Sequence, residues 1–247
     1  MGLWQRRGID FGRRSSLLRR GEALAKVMEE SIAFLRGFDG LVLDVGCGDG
    51  IPTATIARHH RVLGVDFAST MLRRAHHNLP SSDFLRASID LLPLKGDSVP
   101  AVTCYFVLSD YDSRIRLLSE LRRVLTSGGK LIVSEYSSDD DFNNLIDSLY
   151  TKVLGKERGM FRVDKDTLSR EMEKTGFKIS ASKEICYPLV TRLETFVDQL
   201  YLSSASSEFR QKRLGLHGWR ELLSEWWKGS EIHLIRRFAL VLADRIC

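Results

Sequence analysis

Residues 43–50 read LDVGCGDG, and this stretch decides the fold of the 247-residue chain. A short apolar run ends in this stretch at an acid, Asp44, and then turns through three glycines at alternate positions. Glycine lets a backbone turn tightly and approach a ligand closely, and a helix that begins after the turn offers free N–H groups. The stretch therefore predicts a strand, a ligand-binding turn and a helix, with Pro52 in the first helical turn.

Strands and helices are predicted to alternate on both sides of this turn. Apolar runs typical of buried strands lie at 41–45, 61–66, 84–87, 101–108, 130–136, 177–185 and 238–243. Helical spacing of apolar residues is found at 21–36, 69–77, 114–125, 142–161 and 166–175. Such alternation implies parallel βαβ units with right-handed crossovers. The expected fold is α/β, a doubly wound and mostly parallel sheet of seven strands.

The chain is expected to divide into four segments around this sheet. They are a basic N-terminal arm and helix at 1–37, a Rossmann-like core at 38–190, a helical insert at 191–235, and the last strand of the core at 236–247. The insert is rich in aromatic and basic residues, and it is expected to cover the substrate site.

Composition and cysteine use limit the class of protein. With 43% hydrophobic and 28% charged residues the chain is typical of a globular domain, and no apolar stretch is long enough to span a bilayer. The N-terminus lacks the apolar centre of a secretory signal, so the expected location is cytoplasmic. The four cysteines are scattered without a C-x-x-C pair, which argues against a zinc site and a disulfide framework. We expect no bound metal.

The net charge of +5 is concentrated at the N-terminus, where residues 1–20 hold six arginines and one acid. The rest of the chain is neutral in total. Three interpretations of the basic arm fit this pattern: contact with a phosphate-bearing partner such as RNA, contact with an anionic membrane surface, or a solvated terminus.

The acids beside the glycines indicate the kind of cofactor. Asp66 closes the second predicted strand, where a carboxylate can accept both ribose hydroxyls of a nucleoside. The glycines follow G-x-G-x-G, and Ile51 stands where a dinucleotide-binding turn has its third glycine. Asp44 would repel a pyrophosphate and suit an ammonium group. The pattern favours a nucleoside joined to a cationic amino acid over NAD.

Five motifs carry a family resemblance. They are VLDVGCGDG at 42–50, GVD at 64–66, LPL at 92–94, YFVL at 105–108 and RRVLTSGGKL at 122–131. In order and spacing the chain resembles the class I S-adenosylmethionine-dependent methyltransferases over about residues 41–136. It is most similar to the type 11 group, related to the ubiquinone/menaquinone methyltransferases. The resemblance implies S-adenosyl-L-methionine as the cofactor.

The resemblance also implies a set of cofactor-binding residues. An acid and the turn backbone would hold the methionine end, Asp66 would bind the ribose, and residues near the ends of the second and third strands would contact adenine. The family usually has an acid at position 88, so the serine found here departs from the pattern. Phe67 and Met71 fit a role in the core equally well. The implied cofactor residues are Asp44, Gly46, Cys47, Gly48, Asp66, Phe67, Met71, Ser88, Ile89 and Val107.

The methyl acceptor is expected beyond the carboxyl ends of the strands. The candidate bases are Ser109, Asp110, Tyr111 and Asp112, after the fourth strand, and Glu135 and Tyr136, at the end of the fifth strand. Of these, Asp110 and Tyr111 are the preferred catalytic residues. The favoured function is methyl transfer to a small-molecule or lipid-like acceptor. The alternatives are an RNA (tRNA) methyltransferase that uses the basic arm, and a non-catalytic cofactor-binding subunit. The sequence does not indicate an oligomeric state.

Overall fold

The structure, a computed structural model, describes residues 22–155, 157, 161–202, 216–224, 227 and 229–246. The arginines of the predicted basic arm and the middle of the predicted insert lie outside these residues. Within the described part of the chain, no helix is long and apolar enough to cross a membrane.

Helices and strands alternate along the described chain. The strands are β1 (Leu41–Val45), β2 (Arg61–Asp66), β3 (Asp83–Arg86), β4 (Val99–Tyr105), β5 (Leu125–Tyr136), β6 (Phe177–Arg192) and β7 (Glu231–Arg245). The helices are α1 (Glu22–Phe34), α2 (Ile51–Ile56), α3 (Ser69–Asn78), α4 (Arg114–Val124), α5 (Asp141–Leu149), α6 (Lys165–Lys174), α7 (Leu193–Leu202) and α8 (Leu216–Ser224). A 3₁₀ turn at Leu108–Asp110 follows β4, and a π-helical turn at Tyr150–Leu154 continues α5.

The described strands form one seven-stranded sheet in the order β3-β2-β1-β4-β5-β7-β6. The first five are parallel, and β7 runs antiparallel between β5 and β6. The predicted fold class is confirmed. The chain order reverses between β1 and β4, and in open α/β sheets ligands bind at such a switch point, outside the carboxyl ends of the strands.

Apolar side chains pack on both faces of the sheet. One face is covered by α4 and α6, which contribute Leu117, Leu121 and Leu168 to a buried cluster. The other face is covered by α1 and α2, through residues such as Val27 and Ile56. A third cluster joins α5, α7 and α8 to the start of β7, and it includes the buried Trp219. This third cluster makes a helical layer beside the main sheet.

Two predicted elements end earlier in the structure than their apolar pattern suggests. The fourth strand ends at Tyr105 instead of Leu108, because Phe106 has a left-handed backbone with φ 59° and the next residues form the 3₁₀ turn. The helix predicted to reach residue 161 stops at Leu154, where Gly155 takes a left-handed conformation with φ 65°. Gly155 is a typical helix terminator.

Strands β6 and β7 are longer than the sequence predicts. They pair with each other from Phe177 opposite Arg245 to Arg192 opposite Glu231. In residues 231–236 buried and exposed positions alternate, so this part of the hairpin is half-solvated. The prediction relied on continuous apolar runs, which mark strands buried on both faces and miss an alternating strand of this kind.

A buried ion pair joins this hairpin to α5. Arg236 of β7 donates from Nε to Oδ1 of Asp140 at 2.8 Å, and both side chains are buried. Asp140 also caps α5 by accepting from the N–H of Asn143, and it accepts from the N–H of Arg237. The Arg236 guanidinium lies 4.7 Å from the centre of the Phe142 ring. One carboxylate thus fixes the start of α5 against β7.

We predict that Asp140→Ala lowers the free energy of unfolding by about 3–5 kcal/mol, because it leaves the buried Arg236 charge without its partner. Urea unfolding measures this. Asp139→Ala is the matched control: the side chain is exposed, and its loss should change stability by less than about 0.5 kcal/mol. Equal effects of the two substitutions would contradict a structural role for the pair.

Candidate active site

The turn after β1 needs glycine for two different reasons. Gly46 has φ 73°, and a Cβ at this position would lie 2.2 Å from Cγ2 of Val107. Gly48 has φ 56°, and the atom nearest to a Cβ there is Cε of Met71 at 3.8 Å. Gly46 therefore lets the chain after β4 approach the turn, whereas Gly48 is favoured by its left-handed backbone, since a Cβ there would make only ordinary contacts.

The N–H groups of this turn are bonded within the protein. Those of Gly46 and Cys47 donate to the carbonyl oxygen of Val65 at 2.7 and 3.0 Å, and that of Gly48 donates to Oδ2 of Asp66 at 3.0 Å. The free N–H groups predicted from the sequence are those of the helix that follows, whereas these three turn residues already have acceptors for theirs. The end of β2 lies beside the turn and supplies acceptors for them.

Asp66 is held at the end of β2 by two backbone groups. Oδ1 accepts from the N–H of Ala68 at 2.8 Å, and Oδ2 accepts from the N–H of Gly48 at 3.0 Å. An ionised carboxylate has about four acceptor sites, so these bonds leave capacity for ligand hydroxyls. The carboxylate is fixed in orientation and borders a pocket.

The pocket lies at the carboxyl ends of β1, β2 and β4, and it has an empty volume of about 720 Å3. This volume includes the solvent at the open mouth of the pocket. Of the residues predicted from the sequence, the structure brings these together in the pocket wall: Gly46, Gly48, Asp66, Phe67, Met71, Ile89, Val107, Asp110 and Tyr111.

Asp44 does not line the pocket, contrary to the expectation that it meets the ligand directly. It is buried, and its two oxygens accept from Oγ1 of Thr53 at 2.5 Å and from Oγ1 of Thr103 at 2.9 Å. These hydroxyls come from α2 and β4, so the carboxylate points away from the ligand side of the turn. Burial raises the pKa of Asp44 to about 6, although both hydroxyl bonds lower it.

Cys47 and Ser88 also lie outside the pocket wall. Cys47 is buried, with its Sγ packed against Gly64 of β2, and burial raises the pKa of this thiol well above its usual value. Ser88 is exposed and donates its hydroxyl to Asp90, whose carboxylate also pairs with Arg116. Ser88 and Asp90 are thus engaged with each other on the surface, and the wall here is formed by Ile89.

Several wall residues were missed by sequence reasoning. They are Val45, Val65, Ala68, Ala87, Tyr105 and Phe106. Each lies close to a strand end, and this position is a signal that the sequence contains. Their side chains are mostly apolar, however, and do not differ in chemistry from those of core residues. Phe106 also stacks on Tyr136 with ring centres 4.7 Å apart, and both rings contact Phe238.

Asp110 and Tyr111 both border the pocket, as the sequence predicts for groups after β4. Burial raises the pKa of Tyr111 to about 12, with smaller contributions from Asp90 and Asp110. A phenol with this pKa is neutral at physiological pH, so Tyr111 is suited to donating a hydrogen bond and not to accepting a proton. Asp110 is the carboxylate of this pair, and it has further interactions within the protein.

The hydrogen bond between Thr53 and Asp44 is expected to contribute to the stability of the folded protein. We expect Thr53→Val to lower the free energy of unfolding by about 1–3 kcal/mol, because a buried carboxylate oxygen loses its partner. The loss should be larger at pH 8 than at pH 5. The folded pKa of Asp44 is already raised, so its ionisation costs stability as pH rises from about 4 to 6. The Thr53 hydroxyl lowers this pKa, so its removal raises the pKa of Asp44 further, and the loss of stability then continues to a higher pH.

Thermal and urea unfolding at the two pH values measure the effect. Thr55→Val is the control, because it makes the same change in the same helix, at a side chain that only partly packs. A loss that is the same at pH 5 and pH 8 would show that Asp44 does not respond to Thr53.

Comparison with known proteins finds a family model that matches the part of the chain that forms the pocket. Residues 43–133 match the model of a family described as "Methyltransferase domain". A demethylmenaquinone methyltransferase from Renibacterium salmoninarum is 35% identical over 97 residues, which cover 39% of this chain and 41% of the relative. A ubiquinone/menaquinone biosynthesis C-methyltransferase, UbiE, from Syntrophotalea carbinolica is 34% identical over 118 residues, 45% of this chain and 49% of the relative. The chain thus spans at most about half the length of these relatives.

Likeness of structure extends over most of the chain. The crystal structure of an inferred methyltransferase from Bacillus halodurans superposes with a TM-score of 0.64 at 21% identity, and covers 92% of this chain and all of that chain. At that identity the likeness concerns the fold. Residues 43–133 thus match a methyltransferase domain, within a chain whose fold is that of a solved methyltransferase structure.

Proposed function

We propose that this chain transfers the methyl group of S-adenosylmethionine to a small-molecule or lipid-like acceptor. The observation that carries the proposal is the position of the Asp66 carboxylate, which two backbone N–H groups fix at the edge of a pocket. The same pocket is bordered by Gly46 and Gly48, which both have left-handed backbones. Apolar side chains of Phe67, Met71 and Ile89 lie in the same wall.

These residues fit the parts of the cofactor. Asp66 would accept the ribose hydroxyls, Phe67, Met71 and Ile89 would enclose the adenine, and the Gly46–Gly48 backbone would border the methionine end. The position of Gly46 and Gly48 in the pocket wall supports this placement. When bound, the cofactor supplies a methyl group on a sulfonium, a good leaving group for in-line displacement.

The protein's own contribution would then be alignment. Holding an acceptor in line with the methyl group can supply about 7–11 kcal/mol of a reaction barrier. Two polar residues of the turn after β4, Asp110 and Tyr111, lie in the pocket wall, where they would contact an acceptor. In our proposal Asp110 takes a proton from an acidic acceptor, and the neutral Tyr111 hydroxyl orients it by donating a hydrogen bond.

An apolar acceptor is supported by the aromatic residues beside the pocket. Phe106 is part of the wall, and it stacks on Tyr136 at the end of β5. A flat aromatic surface of this kind suits a planar, apolar molecule. The names of the relatives from R. salmoninarum and S. carbinolica concern quinone-type lipids, which agree with this class. The RNA alternative has no comparable support, since its arginines lie outside the described residues.

A labelling experiment tests the class of acceptor. Purified protein is incubated with S-adenosylmethionine labelled in the methyl group and with separate lipid, small-molecule, RNA and protein fractions of a cell extract. We expect label in the lipid or small-molecule fraction. Asp66→Ala should reduce that label, because it weakens cofactor binding. Label confined to RNA or protein would contradict the proposed acceptor class.

A titration tests the cofactor site. Asp66→Ala should weaken the binding of S-adenosylhomocysteine by about 1.5–3 kcal/mol, the scale of hydrogen bonds to a charged group. It should also lower the stability of the free protein, because Gly48 and Ala68 lose an acceptor. Asp83→Ala, at the exposed start of β3, is the matched control and should change neither. Isothermal titration calorimetry measures the affinity, and tighter binding of NAD than of S-adenosylhomocysteine would contradict the assignment.

A further inference from the structure

Glu135 is fully buried at the end of β5 and bonds to the turn that follows β4. Oε1 accepts from the N–H groups of Val107 and Leu108 at 2.8 and 2.6 Å, and Oε2 accepts from the N–H of Ser109 at 3.3 Å. Three successive backbone donors thus converge on one carboxylate. Glu135 itself does not line the pocket, so the sequence-based candidacy of this residue as a base is not supported by its position.

The turn held by Glu135 forms one side of the pocket. Phe106, Val107, Asp110 and Tyr111 all contribute to the wall. The backbone of Phe106 is left-handed with φ 59°, a conformation that non-glycine residues adopt at a cost and that the surrounding structure must maintain. Glu135 accepts hydrogen bonds from the N–H groups of the three residues after Phe106, and these bonds help to maintain this backbone conformation.

The surroundings of Glu135 contain no cation paired with it within the described part of the chain. The groups that act on it are Asp110 and the Ser109 hydroxyl in the turn, the Cys104 thiol of β4, and Arg114 of α4. Arg114 is engaged by Glu171, to which it donates two hydrogen bonds of 2.7 Å. Burial raises the pKa of Glu135 to about 7, although its hydrogen bonds lower it.

We propose that Glu135 is a positioning residue whose ionised carboxylate sets residues 106–111 in the conformation that binds the cofactor. The ionised group only accepts hydrogen bonds, and it meets three N–H groups that only donate. On protonation one oxygen becomes a hydroxyl, a weaker acceptor that needs a partner for its own hydrogen, so the three N–H groups are held less strongly. This inference rests on the proposed function, because the pocket wall concerned is that of the cofactor.

The test is the affinity of the full chain for S-adenosylhomocysteine at pH 6.5 and pH 8, measured by calorimetry. If only the ionised form binds, a group with a pKa of about 7 makes binding about fourfold weaker at pH 6.5 than at pH 8. Glu135→Gln cannot ionise, so its affinity should be low and similar at both pH values. Glu173→Gln, an exposed change on α6, is the control and should keep the wild-type profile.

A stability measurement separates positioning from a general structural role. The raised pKa means that ionisation of Glu135 costs the folded state stability as pH rises from about 4.5 to 7. Glu135→Gln avoids this cost, so at pH 8 the variant should melt no lower than the wild type although it binds more weakly. Weaker binding that simply follows a lower melting temperature would overturn the proposal.

Two further results would be decisive. Equal wild-type affinity at both pH values, or a variant that keeps the pH dependence, would overturn the role of Glu135 and leave the proposed function standing. Absence of S-adenosylhomocysteine binding at every pH would instead refute the cofactor site itself.

Discussion

Backbone N–H groups lose their strand partners where the parallel strands end, and the structure around the pocket follows from how these groups are satisfied. Buried polar groups without partners are costly, so each needs an acceptor. After β1 the acceptors are the carbonyl oxygen of Val65 and the carboxylate of Asp66. After β4 the acceptor is Glu135. The pocket lies between these two bonded turns.

Three carboxylates at this edge have different tasks because their surroundings differ. Asp66 is partly exposed, bonded to two N–H groups, and able to meet a ligand. Asp44 and Glu135 are buried, and burial raises the pKa of each toward neutrality. Asp44 accepts hydrogen bonds from Thr53 of α2 and Thr103 of β4, and it therefore links the residue before the turn to these two elements. In our proposals only Asp66 touches the cofactor.

The helical layer on the far side is tied to the sheet by a different device. Asp140 accepts from Arg236 of β7 and from the first turn of α5, so the hairpin and the helix share one buried carboxylate. Tyr136 and Phe238 pack around the same guanidinium, and Phe106 stacks on Tyr136 and contacts Phe238 edge to face. Packed aromatic rings thus connect the ion pair that fixes the helical layer to the wall of the pocket.

The sequence by itself determined the fold class and the turn at 46–50, because strand periodicity and glycine are local signals. Most of the predicted residues of the pocket wall came from the resemblance to a known family, which is also carried by short local motifs. It did not determine the end of β4 or the full length of the β6–β7 hairpin. It also gave no means of telling that Asp44 faces Thr53 and Thr103 while Asp66 faces the pocket. Asp44 lies one residue before the end of β1 and Asp66 ends β2, and their tasks differ through partners that other elements supply. Which carboxylate is buried and which meets solvent is decided when the sheet assembles, because only then does each side chain acquire its neighbours.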